Sequence, residues 1–73
     1  MTLKINNYME LMIVCELNNV YDSLIFELPI DGDLMTERVI SIAYESLVRI
    51  DSNITYDMVE RLAKGINDVS KWN

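Results

Sequence analysis

Carboxylates are the most numerous chemically capable side chains in this sequence: twelve Asp+Glu stand beside six Lys+Arg, one cysteine and no histidine. Without histidine, general acid–base work near neutral pH lacks its usual agent. A pair of carboxylates can replace it where their environments drive the two pKa values apart. Glu10 and Glu27 are the pair to consider, yet the register derived below sets them on an open sheet face with no evident pocket. Cys15 falls on the inward face of the same register and reads as a small hydrophobe, with no histidine or nearby cation to lower its pKa. Asp31-Gly32-Asp33 begins like a calcium loop, but further oxygen ligands do not follow at the required spacing and Ile42 stands where the twelfth ligand would fall. Turn and helix-cap chemistry is the expectation there. There is no glycine-rich phosphate loop. Neither an enzyme, nor a metal, nor a cofactor is expected.

The elements that must hold these groups follow from periodicity. Seventy-three residues form a single small domain, 1–73, with no internal repeat and no linker. Residues 8–17 and 20–30 are two apolar-rich runs, and Asn18-Asn19 between them tolerates the positive φ of a two-residue hairpin turn. That turn pairs Leu17 with Val20, Ile13 with Leu24, Leu11 with Phe26 and Met9 with Leu28 on one face, with only Asp22 opposite Cys15 breaking it, so pattern and register agree. A helix over 7–18 is the rival, but its apolar residues would ring the cylinder instead of forming one stripe. Thr2–Ile5 is a candidate third strand. Asp33 or Thr36 can cap the next element, a helix over about 34–50 with Val39, Ile40, Ala43, Leu47 and Ile50 inward and Glu37, Ser41, Glu45 and Arg49 outward. A second helix, about 55–71, turns Val59, Leu62, Ala63, Ile66 and Val69 inward. Glu45–Arg49, Asp57–Arg61 and Glu60–Lys64 have the spacing of i,i+4 ion pairs. The expected architecture is α+β: an N-terminal hairpin or small meander covered by two helices.

Charge is unevenly divided between the halves. Residues 1–33 carry six acids against Lys4 alone, whereas 34–73 carry six acids against five bases. The outer hairpin face would present Tyr8, Glu10, Met12, Val14 and Glu16 beside Tyr21, Ser23, Ile25 and Glu27, with an apolar centre and an acidic, aromatic rim. That is the anatomy of a protein interface. Tyr8, Glu10, Met12, Val14, Glu16, Tyr21, Ile25 and Glu27 of this face, with the neighbouring carboxylate of Asp22, are the candidate partner-binding set.

One short segment, Asp22-Ser23-Leu24-Ile25-Phe26-Glu27-Leu28-Pro29, resembles the edge-strand segment of phage uracil-DNA glycosylase inhibitors. The likeness covers eight residues, and the later strands of that family have no counterpart here, so no family is assigned.

A formal charge of −6 disfavours direct contact with nucleic acid or anionic lipid. The longest apolar run, Leu11 to Cys15, is far short of a membrane span. The N-terminus lacks a signal-peptide pattern and the lone cysteine suits a reducing compartment, so a cytoplasmic protein is expected. The functional expectation is a small acidic inhibitor that binds a basic nucleic-acid-handling protein, in the manner of phage host-takeover or nuclease-immunity proteins that mimic DNA. The alternative is a structural or regulatory homodimer. A chain this size is about 22 Å across, and duplex DNA of that length carries about 13 phosphates at one per ~1.7 Å. Six net charges fall short of that, so mimicry calls for a homodimer or a local target site. A small core unaided by a disulfide also favours dimerisation.

Overall fold

The computed structural model describes residues 4–27 and 34–70 and is all-helical over them: α1 spans Tyr8–Leu24, α2 Glu37–Ile50 and α3 Tyr56–Ser70. No strand occurs among the described residues, which overturns the expected α+β fold and its N-terminal hairpin. Residues 8–17 and 20–24 lie on one continuous helix, with Asn18 and Asn19 inside it rather than at a turn. The candidate edge segment is likewise helix and turn as far as Glu27. Thr2, Leu3, Leu28–Ile30, the Asp31-Gly32-Asp33 turn and the Lys71-Trp72 tail lie outside the described residues.

Local chemistry accounts for α1. Leu, Met and Glu lose little rotamer freedom in a helix, and Asn18 and Asn19 cost only a few tenths of a kcal/mol each at exposed interior sites. Its entry is capped in both directions. Asn7, in extended conformation, accepts from the Glu10 N–H at 2.9 Å, and Glu10 Oε1 accepts from the Asn6 N–H at 2.9 Å. This is a capping box displaced by one residue. Near the other end, the Ser23 hydroxyl donates to the Asn19 carbonyl at 3.0 Å, the usual back-bond of a helical serine.

Thr36 caps α2, accepting from the Val39 N–H at 3.4 Å. Thr55 accepts from the Met58 N–H at 3.3 Å at the start of α3, while the Met58 sulfur accepts from the Thr55 N–H at 3.5 Å. Here a thioether takes the part that glutamate plays in an ordinary capping box. Both helices start a residue or more later than the sequence suggests, and Asp51 ends α2 by leaving helical geometry.

Each helix packs against the other two. The core is built from Ile13, Leu17 and Val20 of α1; Val39, Ile40, Ala43 and Leu47 of α2; and Val59, Leu62 and Ala63 of α3. Met35 and Ile54 seal it from the segments flanking α2. Ile50, expected inward, is 69% exposed at the last position of α2, where the chain leaves the helix at Asp51. Tyr44 and Tyr56 meet edge to face with ring centroids 5.5 Å apart, joining α2 to the first turn of α3.

Two polar ties set the helix directions. Arg61, early in α3, reaches Glu10, early in α1. Asn67, late in α3, clasps the backbone of Met35 just before α2: its Oδ1 accepts from the Met35 N–H at 2.7 Å and its Nδ2 donates to the Met35 carbonyl at 3.1 Å. Thus α1 and α3 run parallel, and α2 runs against both. The radius of gyration is 11.7 Å, close to the roughly 11 Å expected of a compact chain this long.

Candidate functional site

All nine candidate residues belong to α1 or the turn that leaves it, so the two-stranded face on which they were grouped does not exist. A helix distributes them around its circumference instead. Tyr8 (80% exposed), Asp22, Ile25 and Glu27 are exposed; Met12, Val14, Glu16 and Tyr21 are half-buried; Glu10 is buried. Glu10 and Glu27 are not neighbours: α1 is 17 residues long, which separates its ends by about 25 Å.

Two of the four carboxylates expected to meet a partner already have counter-ions. Arg61 Nη2 donates to Glu10 Oε2 at 3.1 Å. Arg38 Nη2 lies 3.2 Å from Glu27 Oε2, with both side chains largely in solvent. Arg61 therefore bypasses Asp57, its neighbour at i,i+4 spacing, and crosses to another helix. The first-named pair is the better enclosed, and the Asn6 N–H holds the Glu10 carboxyl below its usual pKa. The Arg61 guanidinium reinforces this, and together they outweigh burial, which acts in the opposite sense.

A depressed folded-state pKa means that the stabilisation is fully present above the ordinary glutamate value, about 4.3. It is lost as pH falls through the folded value. Urea unfolding of the native chain and Glu10→Gln across the acid range checks this. The difference between their midpoints should be widest near neutrality and close under acid conditions. A difference that stays constant would remove the ion pair and the cap as its cause.

What remains on α1 is a helix with three carboxylates and no lysine or arginine. Its outward side carries Tyr8, Leu11, half-buried Met12 and Cys15 in the first two turns, then Asn18, Asn19 and Asp22. Cys15, expected inward, is exposed because helical phase places it opposite the Ile13–Leu17–Val20 side. Leu11 (44% exposed) and Cys15 are thus residues that sequence reasoning missed as surface groups. The signal for them was Asn7-x-x-Glu10 ahead of an apolar run, which marks a helix start; from it the phase of both residues follows.

Among the described residues no group of three or more Cys, Asp or Glu side chains gathers as a cation site. Nor, among them, is any helix long and apolar enough to cross a membrane. Comparison of the chain with protein-family models, with curated proteins and with solved structures returned no match.

Proposed function

We propose that this chain is a non-enzymatic, acidic protein-binding inhibitor that docks on a basic nucleic-acid-handling protein and blocks its site. The observation that carries the reading is α1, a helix with three carboxylates, no cation and an outward side that is apolar at one end and polar at the other. With Glu10 and Glu27 engaged inside the fold, Glu16 and Asp22 are the α1 carboxylates left to meet a partner. Two charges do not reproduce a row of phosphates. Blocking therefore works by occupying the site, while the net charge of −6 steers the encounter. We take the compartment to be the cytoplasm, where an exposed free thiol such as Cys15 stays reduced.

Affinity capture at low salt, followed by elution with duplex DNA and mass spectrometry, tests the proposal. A basic DNA- or RNA-handling protein released by competing DNA is the expected result. The double variant Glu16→Gln/Asp22→Asn should weaken that capture, mainly through slower association, and the effect should fade as salt rises. Recovery of the bait alone would sink the proposal. The homodimer is the second reading, favoured by the exposed Tyr8, Leu11 and Cys15 beside half-buried Met12; sedimentation of the purified chain tests it directly.

A further inference from the structure

We propose that the element which meets this protein is an amphipathic helix with an apolar stripe flanked by lysine or arginine, lying along Tyr8, Leu11, Met12 and Cys15 as a fourth helix of the bundle. The inference rests on the protein-binding reading above but not on the partner's handling nucleic acid.

Spacing is the first argument. The core side of α1 presents Ile13, Leu17 and Val20, with half-buried Leu24 continuing the line, and α2 and α3 cover it. Tyr8, Leu11, Met12 and Cys15 repeat the i, i+3, i+4, i+7 pattern on roughly the opposite side, where Tyr8, Leu11 and Cys15 are exposed and half-buried Met12 forms the edge of the row nearest the core. Such a row forms ridges that fit the grooves of another helix. It is about 10 Å long, or two helical turns, which suits one short helical contact better than a broad surface.

Charge supplies the choice of occupant. Glu16 borders the row beside Met12, and Asp22 continues the line of Leu11 and Cys15 toward the C-terminal end. Neither has a counter-ion among the described residues. The nearest cations in sequence are Lys4, at the opposite end of the helix from Asp22, and Arg38, which is paired with Glu27. A helix with basic flanks satisfies both carboxylates while covering the apolar row. A second copy brings to the same place a helix with three carboxylates and no cation, so its charges oppose the approach.

The test uses the full chain and two designed helical peptides of about 18 residues. Both have leucine stripes; one has lysine flanks and the other glutamate flanks. Binding is followed by amide chemical-shift mapping. The lysine peptide should bind and perturb residues 8–22 on the outward side. The glutamate peptide should bind at least about tenfold more weakly at low salt, with the gap narrowing at high salt. Leu11→Glu should reduce binding of the lysine peptide at least about tenfold. Ser41→Glu, the same charge change on the outward side of α2, should stay within about twofold. Circular dichroism verifies that both variants keep the helical fold.

Equal binding of the two peptides, no binding of the lysine peptide, or equal loss in the two variants overturns the proposal. So does self-association abolished by Leu11→Glu in the absence of peptide binding. If DNA-competed capture fails while the lysine peptide binds as described, it is the inhibitor reading that falls, and the docking mode stands.

Discussion

Replacing Leu17 by alanine is expected to unfold much of the population in dilute buffer. Leu17 is fully enclosed at the middle of α1, among side chains of all three helices. Truncating a leucine in such a site costs about 2–5 kcal/mol, the lost transfer free energy plus the cavity left behind. A core of this size supplies only about 3–5 kcal/mol in total, so a single truncation removes most of it. Urea titration followed by helical circular dichroism measures the loss. Leu11→Ala belongs beside it, because six residues separate the two leucines. On a strand they share a face and both substitutions are costly. On α1 they face different sides, and Leu11→Ala should change stability by no more than about 0.5 kcal/mol. Similar losses at the two positions would contradict the helix and its orientation together.

Asn67→Ala is the second large effect. The Asn67 amide both accepts from and donates to the backbone of Met35, and both residues are buried. Without it, a buried N–H and a buried carbonyl lose their partner, at about 1–3 kcal/mol each. The sum, about 2–6 kcal/mol, again rivals the total. Asn67→Asp separates hydrogen bonding from packing, since it keeps the shape and the acceptor but not the donor. It should be destabilised near neutral pH, where a carboxylate would face the Met35 carbonyl, and should recover partly in acid, where the protonated group can donate. Loss equal to that of alanine at every pH would assign the effect to something other than this clasp.

The two C-terminal helices were legible because each keeps its apolar residues on one side: Val39, Ala43 and Leu47 on α2, and Val59, Leu62 and Ala63 on α3, are all buried as their spacing implies. The first helix was not, and the reason is physical. Apolar side chains do ring α1, as a helical reading of residues 7–18 requires, and that ring argued against a helix only on the assumption that a helix has one apolar side. With Ile13, Leu17 and Val20 inward and Tyr8, Leu11 and Cys15 outward, alternate positions along α1 imitate the period of a strand, and Asn18-Asn19 imitates a turn.

Of the candidate site, Tyr8, Met12, Glu16 and Asp22 remain available on one helix. The engagement of Glu10 could not be read from spacing, because its partner is 51 residues away and Asp57 offered Arg61 a nominal alternative four residues off. Burial of Ile50 failed for a simpler reason: periodicity gives the phase of a side chain but not whether a neighbouring element covers it.

Among the described residues, both long-range polar side-chain ties end on α3, Arg61 on Glu10 and Asn67 on Met35. During synthesis, a chain that has emerged only as far as Asp51 can bring α1 and α2 together. It then carries a carboxylate with no counter-ion and a Met35 backbone without its partner. Pairing of the first two helices is therefore a poor resting state, and ordering waits for the last helix to arrive. The chain should fold as one cooperative unit, with the amides of α1 and α3 gaining and losing protection from hydrogen exchange together.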